Sequence, residues 1–191
     1  MAREWVLEDT RLDAIDELLL TLAGSLDVRA IFNEVSAVVQ PVLPHDRLIL
    51  GMRSADRTLV TIDALSGEPV ADLPLRIPIE HGEAERKKKL GQAELIADLE
   101  AWPSSHASAC ARQLGVRSTL RIPLRPAAGQ AGSLVFASRA PARYSADDLP
   151  VARRIADYVS LALSHQRLAE EELRAAEARE RAAHLEERVE A

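Results

Sequence analysis

The chain has 191 residues, 47% of them hydrophobic, and a formal net charge of −6. That length suits one globular domain with an appendage, and the acidic balance argues against nucleic-acid binding, which needs Lys and Arg clustered at phosphates. The single cysteine, Cys110, excludes an intrachain disulfide and a multi-cysteine metal knuckle.

Residues 5–23 are expected to be helical, because Leu12, Ile15, Leu18, Leu19 and Leu22 recur at helical spacing and Gly24 offers a stop. Asp27 is placed to cap a second helix, with Ile31, Val35, Val38 and Val42 on one face and Pro41 and Pro44 ending it. The period then changes to two. Arg47 to Arg53, with Leu48, Leu50 and Met52 on one face, and Thr58 to Leu65 flank the turn Ser54-Ala55-Asp56-Arg57 as a hairpin. Leu73 to Ile79 reads as an edge strand because of Pro74 and Pro78. Glu83 to Leu90 reads as a short helix, and its Arg86-Lys87-Lys88-Lys89 run, the one basic run, suits a helix end.

Ala93 to Leu99 reads as a short strand or loop, and Ser104 to Leu114 as a helix stopped by Gly115. Leu120, Ile122 and Leu124 then alternate with Thr119, Arg121 and Pro123. Gly129 and Gly132 supply a turn, and Ser133 to Arg139 returns with Leu134 and Phe136 on one face. Ser145 and Asp148 have capping-box spacing, and Tyr144 and Leu149 are spaced as a hydrophobic staple. The helix they start meets no Gly or Pro after Pro150 up to Ala191. This order gives a mixed α+β domain with one antiparallel sheet between helices.

A small-molecule pocket is mostly apolar with a few convergent polar groups. Polar side chains on apolar strands are therefore the candidate ligand contacts: Thr61, Ser118, Thr119 and Arg121. Arg121 either clamps a carboxylate bidentately or lies on a solvated face. Met52 and Phe136, with Leu48, Leu50 and Leu120, either line a cavity or fill it. A ligand is expected between the sheet and the segment from Ile96 to Leu114, which mixes small and polar residues with short apolar stretches. His106 and Cys110, four apart, with Asp98 as a third donor, have a metal-competent spacing. The reading taken is a buried core thiol and a solvent-facing histidine, and no metal or cofactor is expected. No phosphate loop, dinucleotide fingerprint or G-x-S-x-G elbow occurs. Ser164-His165-Gln166 lacks the neighbours of a phosphoacceptor histidine and reads as helix surface.

In the last helix Leu161, Leu168, Ala175, Ala182 and Val189 recur every seven residues, with Ser164, Glu171, Ala178 and Leu185 in the other seam position. That is a weak coiled-coil seam, diluted by Glu171 and the alanines. A single solvated helix is the alternative to a parallel dimer. Residues 1–163 are assigned to the globular domain and 164–191 to an exit helix, a coiled-coil linker. No apolar run reaches membrane-spanning length, and the start from Met1 to Trp5 is charged too soon for a signal peptide, so a cytoplasmic chain without membrane contact is expected.

Two stretches carry a family resemblance. Leu22-Ala23-Gly24-Ser25-Leu26-Asp27 before an apolar helix, and Gly115-Val116-Arg117-Ser118 leading through Leu120-Arg121-Ile122-Pro123-Leu124 to Gly132-Ser133-Leu134, resemble the GAF domain, a small-molecule sensor module of bacterial signalling proteins. The likeness runs from about Leu18 to Leu168. Within the family the chain looks most like the N-terminal sensor of sigma-54-dependent transcription activators; sensor histidine kinases and diguanylate cyclases carry similar modules. The resemblance implies a six-stranded antiparallel sheet, a cavity on one face, a homodimer through the terminal helices, an unknown small organic ligand and a downstream output domain. The cyclic-nucleotide signature of one GAF subset is missing. Pigment attachment is not expected either, because Ala111 rather than a histidine follows Cys110. Some GAF proteins reduce free methionine sulfoxide, which takes more than one thiol, so no catalysis is expected here. A dimerisation-only module is the alternative.

Overall fold

The computed structural model describes residues 16–22, 25, 27–67, 69–79, 92–125 and 131–190, with side chains to residue 182. The expected stop at Gly24, the helix over Glu83 to Leu90 with its basic run, the turn residue Gly129 and the side chains of Leu185 and Val189 lie outside this set. Helix α1 covers residues 16–22. It is followed by α2 (Phe32–Val39), β1 (Arg47–Arg53), β2 (Leu59–Leu65), β3 (Arg76–Pro78), β4 (Glu94–Ile96), α3 (His106–Gln113), β5 (Ser118–Leu124) and β6 (Gly132–Ser138). A 3-10 turn, Ala146–Asp148, leads into the 42-residue α4 (Leu149–Glu190).

The six strands form one antiparallel sheet in the order β3-β2-β1-β6-β5-β4. Strand β3 is short, carries Pro78 and lies at an edge, where its missing N–H costs no ladder bond. The middle is pinned by register: Leu48 pairs with Phe136 and Leu120 also pairs with Phe136 from the other side. Alternation then sends Leu48, Leu50, Leu120, Leu134 and Phe136 to one face, here called inner. Each is fully buried there against Leu18 and Leu22 of α1, Phe32, Val35 and Val39 of α2, and Ala152, Ile155, Ala156 and Val159 of α4. Residue 132 must be glycine, because a Cβ there would collide with the Met52 sulfur and lie 2.9 Å from the Gly51 carbonyl oxygen.

Between Leu50 and Gly51 the pairing with β2 slips by one residue, so that Ala64 faces Leu50 while Ile62 faces Gly51. The bulged Asp63 is unpaired in the ladder. It meets Arg29 at 3.4 Å instead, and burial raises its carboxyl above the usual range. The slip changes the phase of β2: Ala64 joins the inner core while Ile62 points outward.

Asp27 does not cap α2. Its Oδ1 accepts from the Arg29 N–H at 2.9 Å, closing an Asx turn, and the helix starts only at Phe32, after Ile31 and without a side-chain cap. The caps expected elsewhere are present. The Ser145 hydroxyl accepts from the Asp147 N–H while Asp148 Oδ2 accepts from the Ser145 N–H, and Tyr144 is buried beside them. Gly115, with φ of 71°, follows α3 in the left-handed region that glycine tolerates. Among the described residues no helix is long and apolar enough to cross a membrane.

Candidate ligand cavity

The outer face of the sheet is covered by the stretch from Ile96 to Val116, and its own side chains hold that cover in place. Asp98 accepts two hydrogen bonds from the Arg117 guanidinium, at 3.0 and 2.8 Å, which holds its carboxyl below the usual range. Arg112 reaches back from α3 and donates through Nη2 to the carbonyls of Leu99, at 2.7 Å, and Trp102, at 2.9 Å. Ser105 and Ser108 form a reciprocal capping box at the start of α3. A second apolar cluster of Ile96, Leu99, Leu114, Val116 and Ala137 seals the far end of this cover.

Cover and sheet do not close on each other completely. A cavity of about 250 Å³ remains between α3 and the outer face. Its floor is Ile49 and Gly51 of β1, Val60 and Ile62 of β2, Thr119 and Arg121 of β5, and Ser133 and Val135 of β6. Its roof includes Leu99, Trp102, Ala107, Cys110 and Ala111. The lining is mostly aliphatic with few polar groups, the composition of a small-molecule site. Arg121 Nε donates to Glu94 Oε2 at 3.1 Å across the β4–β5 pair, and Arg53 is the second cation in the wall. The Cys110 side chain is buried, and burial pushes its thiol up, so it stays protonated at neutral pH.

Of the six side chains singled out in the sequence, the cavity brings together two, Thr119 and Arg121. The other four are placed elsewhere. Phe136 is fully buried in the inner core, edge-to-face with His45 at a centroid distance of 5.8 Å. Met52 is on that same inner side, beside a separate hollow lined by Arg29, Asp63 and Gln166. Thr61 pairs with Met52 and shares its face, since it precedes the bulge. Ser118 has no exposed surface. Its hydroxyl donates to the Ala140 carbonyl at 2.7 Å and accepts from the Arg143 N–H, which ties down the loop after β6. Period two already forbids Phe136 and Arg121 from sharing a cavity, because Leu120 is opposite Phe136 and Arg121 is the next residue along. Glu94, Trp102, Ser133 and Cys110 are wall residues that strand polarity alone did not pick out. His106 is exposed, Cys110 is buried and Asp98 is engaged by Arg117; among the described residues no group of three or more His, Cys, Asp or Glu could hold a metal.

Solved structures share this architecture. Free methionine-R-sulfoxide reductase from Neisseria meningitidis, in complex with its substrate, superposes with a TM-score of 0.66 at 17% identity, covering 83% of this chain and 91% of that one. The phycoerythrobilin-bound GAF domain of a cyanobacterial phytochrome gives 0.64 at 18% identity, covering 83% and 96%. Residues 122 to 287 of a methyl-accepting chemotaxis protein give 0.60 at 20% identity, covering 82% and 99%. At these identities the likeness is one of fold. It corrects the expectation of a chain without catalysis: the reductase has this fold, so the fold gives no ground for setting enzymes aside. No curated protein matches the sequence. The family model of the GAF domain matches residues 27–163, from the turn before α2 to the part of α4 that packs on the sheet, and the chain belongs to that family.

Proposed function

We propose that this chain is a sensory GAF domain that takes a small organic molecule into the outer-face cavity and passes its occupancy to α4. The observation that carries this is the two-sidedness of β5. Thr119 and Arg121 point into the cavity, while Leu120, Ile122 and Leu124 between and beyond them are buried in the core that α4 completes. The end of β5 is also tethered to α4, since the Arg125 N–H donates to the Ser160 hydroxyl at 3.3 Å. On the opposite side Gln166 Oε1 accepts from the Val28 N–H at 3.1 Å. A ligand that moves β5 therefore moves the point where α4 leaves the domain.

Beyond that point, residues 164–191 serve as the exit helix along which two copies pair. Leu161 and Leu168, on the heptad seam, are 52% and 54% exposed, which supports a partner helix there. The likeness of the sequence to activator sensors supports transcription activation as the output. The test is mass spectrometry of small molecules released from freshly purified protein, paired with sedimentation before and after release. A released compound that restores thermal stability and shifts the monomer–dimer balance on re-addition supports the reading. Protein that releases nothing, and whose dimer ignores a metabolite library, is the dimerisation-only module. Leu161→Glu with Leu168→Glu should leave a folded monomer.

A further inference from the structure

We infer that the cavity is built for a small organic monocarboxylate, its carboxylate on the terminal nitrogens of Arg121 and its apolar body between β6 and Trp102. This rests on the ligand-binding reading above and adds the chemistry of the ligand. Arg121 is 18% exposed at its side chain, and its only protein partner among the described residues is Glu94, engaged through Nε. Nη1 and Nη2, the end-on pair of the fork, meet no acceptor among the described residues. Two parallel N–H donors at that spacing fit the two oxygens of one carboxylate.

The neighbours of that fork are unspent donors as well. Thr119 lies two residues from Arg121 on the same strand and face, and Ser133 is diagonal to it on β6, where Arg121 pairs with Val135. Neither hydroxyl makes a hydrogen bond to protein among the described residues, although Thr119 is only 8% exposed. Three groups able to donate thus line one cavity with no acceptor among the described residues, where the charged lining is Arg53, Arg121 and Glu94. Donors that face the cavity with no acceptor among the described residues are free to meet an anionic group that enters it.

The remaining wall decides the rest of the molecule. Ile62, Ile96, Val135 and Leu114 offer only dispersion contacts, and Trp102 offers one aromatic face. At about 250 Å³ the cavity is near the low end of small-molecule sites, which favours a small ligand. A phosphate monoester would bring a second negative charge beside the Glu94 carboxylate.

Trp102 supplies the readout, in a background where Trp5, the other tryptophan, is replaced by Phe. The probes are benzoate, phenylacetate and 3-methylbutanoate, each titrated against its own primary amide, with phenyl phosphate alongside. The acids should quench or shift Trp102 emission at millimolar concentration or below and bind at least about tenfold tighter than the amides. Arg121→Gln should erase that preference while the amides still bind. Glu94→Gln, which removes the competing carboxylate from a half-exposed position, should tighten the acids. Amides that bind as well as acids would overturn the carboxylate and leave the cavity a ligand site. Phenyl phosphate binding tighter than phenylacetate would overturn it in favour of a phosphate. If no probe is bound by either protein, the carboxylate inference falls, and the ligand-binding reading falls with it only if the protein also releases no compound and ignores the metabolite library.

Discussion

Replacing Phe136 by Ala separates the two faces of the sheet. The ring has no exposed surface, sits opposite both Leu48 and Leu120, and meets His45 edge-to-face. Truncating a buried Phe costs about 3–5 kcal/mol from lost transfer energy and the cavity left behind. About 0.5–1.5 kcal/mol of that belongs to the ring–ring contact. In a chain of this size about 1 kcal/mol moves the melting temperature by 2–4 °C, so a drop of about 6–20 °C is expected. Phe136→Leu should recover much of it, because volume and apolarity are largely kept. Arg121→Ala, on the outer face in a pair with partly exposed Glu94, should stay within about 1 kcal/mol of wild type. The assay is urea and thermal unfolding of the three variants, each with and without a compound that stabilises the wild type. Phe136→Ala should melt early yet keep its ligand-induced shift. If it melts like wild type and loses that shift, Phe136 belongs to the binding site and the face assignment is wrong.

Two further outcomes follow from titratable groups. Burial holds His45 below its ordinary value, against a Leu43 carbonyl that accepts from Nδ1 at 2.7 Å. The unfolded chain therefore takes up that proton first, at a pKa of about 6.5, and stability should fall as pH drops below that value, by up to about 1.4 kcal/mol per pH unit. His45→Gln should flatten the dependence of the urea midpoint between pH 7.5 and about 5.5; an unchanged slope would put the titration elsewhere. The Cys110 thiol, buried and pushed up, should alkylate with iodoacetamide at least about tenfold more slowly in the folded protein than in urea at the same pH, read by intact mass. Equal rates would mean that α3 lifts off the sheet faster than the reagent reacts.

Much of the architecture is legible in the sequence because it is locally encoded. Leu120, Ile122 and Leu124 announce β5 by alternation, Ser145 and Asp148 announce the start of α4, and Pro78 announces an edge strand. The site is less legible for a physical reason. Both faces of this sheet are covered, so both carry aliphatic side chains, and period two sorts residues into two sets without saying which set has the space. Helices α1, α2 and α4 fill one side with long runs of Leu, Val and Ile, whereas α3 brings Ala107, Cys110 and Ala111 over the other. The small side chains of His106–Gln113 were the available sign, since a helix that short of volume cannot fill the gap above a sheet. The phase change at Asp63 has no local signature, and it is what sends Thr61 inward with Met52 and Ile62 outward to the cavity.

The division of the sheet also bears on how occupancy becomes a signal. Folding of the inner face does not wait on a ligand: Leu48, Leu50, Leu120, Leu134 and Phe136 are fully buried against three helices whatever the cavity holds. A ligand on the outer face adds stability by mass action, about 2.7 kcal/mol at a hundredfold excess over its dissociation constant. That increment is comparable to the few hydrogen bonds that fix the exit of α4, chiefly those from the Arg125 N–H to Ser160 and from the Val28 N–H to Gln166. It is small beside the burial of the inner core. Binding energy of this size can therefore re-aim the exit helix but cannot unmake the domain. Ser160→Ala with Gln166→Ala should accordingly leave the ligand-induced rise in melting temperature intact while abolishing any ligand effect on dimerisation. A ligand effect on the dimer that survives both changes would route the signal through the apolar packing of Ile155 and Val159 instead.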